Sequence, residues 1–156
     1  MARMSYLDAS RAALAEEMRR DPMVWAVGED LGRGGVFAQY RGLLEEFGPE
    51  RISDAPISEA AILGAAVGAA MMGTRPVVEM RFSDFALCAV DELVNQAAKA
   101  RFMFGGQSKV PLVVREPIGC GDPRPHSIRS RWRHGTRISP ALSSPARRRR
   151  RTIRRC

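Results

Sequence analysis

No stretch of this sequence is apolar enough to cross a bilayer. The longest apolar run, Ala60–Gly73, has 14 residues; a spanning helix takes about 20, so the run reads as a buried helix. The opening residues lack a secretory-signal pattern. No basic segment leads into an apolar one, and Tyr6–Arg20 is amphipathic with two glutamates. Cysteine is scarce as well. Cys88, Cys120 and Cys156 are odd in number and fit neither a zinc site nor a CxxC redox pair. Cys88 is expected to be buried as a small apolar residue, and a reducing, cytoplasmic compartment is the simplest setting. Phosphate-loop patterns are lacking too. Gly32-Arg33-Gly34-Gly35 has no Lys-Ser/Thr and fails GxGxxG spacing, so it reads as a turn.

Charge is present, but unevenly. The formal +8 divides into a body, residues 1–120, with 13 Lys/Arg against 16 Asp/Glu, and a tail, residues 121–156, with 12 Arg against Asp122. Basic character belongs to the tail, and arguments about nucleic acid apply there alone. The tail has no apolar periodicity and is expected to be disordered. Its Arg147–Arg155 run has no interleaved aromatic residue and no recognition motif. Adventitious phosphate binding is expected from it, but no specific nucleic-acid partner.

The body has room for one domain and one core. Met4, Leu7, Leu14 and Met18 share a helix face that Asp21-Pro22 ends. Met23–Val27 suits a buried strand. A glycine-rich loop, Leu31–Tyr40, leads into a short helix through Phe47, broken by Gly48-Pro49. Arg51–Ser53 reads as a second strand, Ser58–Gly73 as a helix of small residues, and Arg75–Met80 as a third strand. Val90, Leu93, Val94, Ala97 and Ala98 keep helical spacing, and Val110–Arg115 is again strand-like. This alternation implies βα units and a parallel sheet covered on both faces.

Pro56-Ile57-Ser58-Glu59-Ala60-Ala61 places a carboxylate at the opening of the small-residue helix. The plainer reading is a first-turn acid favoured by the helix dipole, worth about 0.3–1 kcal/mol. The surrounding fragments supply another. Gly28-Glu29-Asp30, Gly34-Gly35-Val36-Phe37, Tyr40-Arg41-Gly42-Leu43, Pro56-Ile57-Ser58-Glu59, Arg75-Pro76-Val77-Val78-Glu79-Met80, Asp84-Phe85, Asp91–Lys99 and Pro111-Leu112-Val113-Val114-Arg115 follow one another in this order. As an ordered set they closely resemble the β subunit of the E1 component of pyruvate, branched-chain and acetoin dehydrogenase complexes, from about Ser5 to Gly119.

That resemblance implies an α/β fold: a three-layer α/β/α, transketolase-like pyrimidine-binding domain over residues 1–120, with a mainly parallel sheet. It implies thiamin diphosphate shared with an E1 α subunit in an α2β2 heterotetramer. The α subunit would hold the diphosphate, mainly through Mg2+, with no metal held by this chain. Glu59 matches the glutamate that hydrogen-bonds pyrimidine N1′ and shares its proton. Phe85 matches an aromatic residue beside the ring, and Glu29 an acid of an interior acidic path. Core packing for Phe85 and loop capping for Glu29 stay open. Gly64 and Gly68 match a helix where β subunits meet, with packing inside the monomer as the alternative. A lipoyl-bearing E2 would receive the acyl group, and no membrane is expected as a partner. The Gly-Asp-Gly…Asn-Asn diphosphate motif of thiamin enzymes is absent, as suits a β subunit.

His126-Ser127 falls near the family's His-Ser-Gln-Ser, but the match stops at two positions, which leaves His126 an open candidate for the catalytic histidine. Beyond Gly119 the chain departs from the pattern, and the family's C-terminal domain is expected to be absent. A reading-frame shift in a GC-rich gene is the preferred account of the arginine-rich tail, since Arg CGN codons read two bases later give only Ser, Thr, Pro or Ala. The coding DNA tests it. Three other functions remain: an acetoin dehydrogenase β subunit, a non-catalytic remnant, and a nucleic-acid binder acting through the tail.

Overall fold

The computed structural model describes residues 4–117. His126, Cys120, Cys156 and the tail, residues 121–156, lie outside the described residues.

Helix α1 (Tyr6–Arg20) starts where Ser5 Oγ accepts the Asp8 N–H at 3.0 Å and stops at Asp21, ahead of Pro22. It buries Leu14, Ala15 and Met18. Met4 stays exposed, so the inward stripe begins later than its spacing suggests. Arg51 fastens this helix end to the sheet. Its Nη2 donates to the carbonyls of Met18, Asp21 and Val24 at 2.7, 3.0 and 2.6 Å. A cation is well suited to the carbonyl end of a helix.

Four parallel strands follow: β1 (Val24–Gly28), β2 (Ile52–Asp54), β3 (Arg75–Glu79) and β4 (Val113–Arg115), in the order β2-β1-β3-β4. The twofold alternation of a strand sorts their side chains. Val24, Ala26, Ile52 and Val77 pack with α1, Leu31, Tyr40 and Leu43, the first residue of the short helix α2 (Leu43–Phe47). Val27, Val78 and Met80, with the half-buried Trp25 and Val114, pack with Ile62, Leu63 and Ala66 of α3 (Glu59–Met71). The expected α/β fold, helices covering both sheet faces, is what forms.

Four further expectations need correction. Helix α3 is not buried all round, because Ala61, Ala65, Gly68 and Met72 form an exposed strip opposite the residues on the sheet. Cys88 is exposed, not buried. It lies in a 3₁₀ segment, Phe85–Ala89, whose three-residue turn directs Ala86 and Ala89 to the core and leaves Leu87 and Cys88 outside.

The helix expected across Val90–Ala98 is irregular. Glu92–Ala97 forms a π-helical turn, in which Ala98 N donates to Leu93 O at 3.0 Å, before the short helix α4 (Ala100–Met103). Val90, ahead of that turn, is exposed, while Leu93 packs on the core. Strand β4 is also shorter than expected. Leu112 N bonds to Val110 O at 3.0 Å, closing a tight turn around Pro111, which has no N–H for a ladder.

Candidate active site

In an open parallel sheet, ligands bind beyond the carboxyl ends of the strands where the strand order reverses. Here the chain leaves β1 for β2 on one side and returns to β3 on the other, so the reversal lies between β1 and β3. Gly28-Glu29-Asp30 leaves β1 at that point, and Glu79-Met80-Arg81 leaves β3. Gly28 allows the two ends to meet. A Cβ there would sit 2.7 Å from Glu79 O and 3.1 Å from Glu79 Cβ.

Glu29 is buried and Glu59, in the first turn of α3, is half-buried. Burial pushes the Glu29 carboxyl above the usual carboxylate range, the nearby Glu59 charge pushes it further, and Arg81 opposes both. The fold therefore brings these two expected site residues together from different elements. Arg81 Nη2 lies 2.5 Å from Asp30 Oδ2, and its Nε is 3.7 Å from Glu29 Oε2. That Nε is buried and has no hydrogen-bond partner among the described residues. Asp30 has the left-handed φ of 58°, and its carbonyl accepts Gly35 N at 2.9 Å, which starts the Gly34–Gly35 turn.

Phe85 opens the 3₁₀ segment packed on α3. Its ring meets Phe82 edge-on at 5.8 Å, and Phe82 meets Phe37 edge-on at 5.8 Å. The half-buried Phe85 is thus part of an aromatic row and not a fully enclosed core residue.

Sequence reasoning assigned no role to a second group of side chains. Buried Glu79 accepts from Tyr40 Oη at 3.1 Å and Gln39 Nε2 at 3.3 Å, and Arg115 Nε lies 3.2 Å away. Burial drives its carboxyl up, with Arg115 and the two hydrogen bonds opposing. Burial also drives up the Tyr40 hydroxyl and the Glu116 carboxyl. A charged residue ending a strand as apolar as Pro76-Val77-Val78 was the available signal, because a buried carboxylate requires partners. Nothing local marked Tyr40 or Arg81.

This edge can share a proton with a heterocyclic nitrogen and lay an aromatic row against a flat ring. Its excess of carboxylates suits a diphosphate poorly. Among the described residues no three His, Cys, Asp or Glu side chains are placed to hold a metal ion. The heterocycle end of thiamin diphosphate fits these residues; its anionic end does not. A shallow groove of about 420 Å³ between α1 and residues 41–46 contains none of the site acids. Among the described residues no helix is long and apolar enough to cross a membrane.

Residues 2–128 match the family described as the transketolase pyrimidine-binding domain. The chain is 49% identical over 122 residues to the 2-oxoisovalerate dehydrogenase subunit beta of Bacillus subtilis, covering 78% of this chain and 37% of that protein. It is 46% identical over 118 residues to the mitochondrial pyruvate dehydrogenase E1 component subunit beta-2 of Oryza sativa, 75% and 31% of the two chains. Identity to the pyruvate dehydrogenase E1 component subunit beta of Rickettsia felis is 48% over 114 residues, 72% and 35%. The chain spans about a third of the length of these relatives.

Proposed function

The chain belongs to the transketolase pyrimidine-binding-domain family, and from that premise we propose that it is the pyrimidine-side part of an E1 β subunit. In this reading it works with an E1 α subunit to decarboxylate a 2-oxo acid oxidatively and pass the acyl group to a lipoyl-bearing E2. The observation that carries the proposal is Glu29 buried where the chain leaves β1 at the switch point, close enough to Glu59 for that charge to raise its carboxyl further.

Thiamin diphosphate, when bound, supplies the electron sink that decarboxylation of a 2-oxo acid requires. Glu59 accepts a hydrogen bond from pyrimidine N1′ and holds the proton shared there. Glu29, whose proton affinity is raised by burial and by the charge of Glu59 and lowered by Arg81, takes up that proton and returns it. Phe85 orients the ring by stacking. The acids of this edge would repel the diphosphate, so that end and its Mg2+ would be held by the α subunit.

The strip of Ala61, Ala65, Gly68 and Met72 on α3 is the proposed β–β contact of an α2β2 tetramer. A Cβ added at Gly68 would meet nothing within 4 Å and one at Gly64 only Glu92 Cγ at 3.6 Å, so packing inside the monomer does not account for either glycine. The family match extends to residue 128 and so includes His126, which is kept as a candidate catalytic residue. The cytoplasm is the proposed compartment.

Glu59→Gln tests the reading. In an assembly of the chain with an E1 α subunit, cofactor and magnesium, turnover should fall by about 10²–10⁴, the usual contribution of a positioned proton carrier, while the circular dichroism spectrum is kept. Near-normal decarboxylation by that variant would refute the assignment.

A further inference from the structure

Arg81 occupies the switch point with two acids and makes full use of neither. Its Nη2 is committed to Asp30 at 2.5 Å, whereas its buried Nε stops 3.7 Å from Glu29 Oε2, beyond hydrogen-bond reach, and has no other partner among the described residues. A direct hydrogen bond would occupy a Glu29 lone pair and lock that carboxylate as an ion. A cation held one step back supplies charge and leaves the oxygens open.

Asp30 serves as the anchor. Its left-handed backbone and the Gly35 N–H on its carbonyl fix it at the turn, and it is the more exposed of the two acids. We propose that Arg81 is a positioning residue acting through Glu29: tethered to Asp30, its guanidinium holds the Glu29 carboxylate open as a proton acceptor facing Glu59. This rests on the proton-sharing role given to Glu59 above.

The charged groups that face Glu29 are Glu59 from α3, Arg81 from the segment after β3, and Asp30 from its own loop; Glu59 and Asp30 favour its protonated form and Arg81 disfavours it. Removing the guanidinium leaves only groups that favour protonation, so the proton affinity of Glu29 should rise further and the carboxyl should give its proton up less readily.

The experiment follows the Glu29 carboxyl by ¹³C-detected titration in the full chain, with the resonance assigned by its loss in Glu29→Gln. Arg81→Met should raise the proton affinity of Glu29 about tenfold or more, and Arg81→Lys, which keeps the charge, should restore most of the difference. Glu59→Gln should move the same midpoint the other way. Arg81→Gln carries the expectation of Arg81→Met should the latter not fold. In the assembly with E1 α subunit, cofactor and 2-oxo acid, Arg81→Met should shift the acidic limb of kcat to higher pH with KM unchanged.

A Glu29 midpoint that stays put in both neutral variants overturns the proposal, and so does an acidic limb that does not move or a kcat lowered equally at every pH. The titration involves no cofactor and no turnover. If the shift is found but the unmodified assembly is inactive, the cofactor reading fails and the pairing of Arg81 with Glu29 stands.

Discussion

Among single side chains, the most constrained is not a proposed catalytic one. Tyr40 is almost wholly buried, and its hydroxyl donates to Glu79 at 3.1 Å while the Arg115 guanidinium lies 5.4 Å from its ring centroid. Tyr40→Phe keeps the ring and deletes one donor to a buried carboxylate that retains Gln39 and Arg115. Leaving a buried acceptor short of a partner costs about 1–3 kcal/mol, so urea unfolding should give a loss in that range. A change below about 0.5 kcal/mol, the usual range for surface sites, would show that the other two groups satisfy Glu79 alone. Gln39 also accepts the Phe37 N–H through Oε1 at 2.7 Å, so the same cluster holds the loop that bears the first ring of the aromatic row.

At the scale of elements, two glycines have opposite consequences. Gly28 ends β1 where a methyl group would press into the β3 backbone at 2.7 Å. Gly28→Ala should destabilise the chain by about 1–3 kcal/mol, as overpacking does. Gly68 is mid-helix and exposed with open space around it, so Gly68→Ala should stabilise the monomer by about 0.5–1 kcal/mol through helix propensity. If the α3 strip is the contact between β subunits, the same methyl group should weaken self-association. Thermal melting paired with sedimentation velocity separates the effects. A rise in Tm with unchanged association would remove α3 from the interface. The π-helical turn at Glu92–Ala97 is also an element-scale feature: Asp91 accepts Asn95 Nδ2 at 2.6 Å and Gln96 Nε2 at 3.4 Å over its first residues.

Across the whole molecule, buried acids with raised proton affinity set the response to pH. Glu79, Glu29 and Glu116 all bind protons more tightly folded than unfolded. Stability from such groups is fully present below the ordinary carboxylate range and is lost as pH rises through their raised folded values. The contribution of these three groups should therefore fall as pH rises above the ordinary carboxylate range, opposite in sign to that of Asp91, whose carboxyl is lowered. Glu79→Gln should flatten part of that slope, whatever its effect at a single pH. Denaturant midpoints at several pH values check this, and an identical slope in the variant would exclude Glu79 as a source.

The sequence by itself determined the layers: periodicity marks α1 and the β1 and β3 strands, because these signals are local and survive in a linear reading. Glu59 stood out only through the ordered resemblance, since a first-turn acid by itself reads as one favoured by the helix dipole. Only the tertiary structure decided that Glu29 faces Glu59, that Arg81 stands between Glu29 and Asp30, that Glu79 is buried under Tyr40, and that Cys88 and one face of α3 are exposed. The meetings among these depend on parallel strands bringing together residues some 30 to 50 positions apart. Electrostatics at such a meeting acts over a few ångströms of space, and distance along the chain carries no record of it.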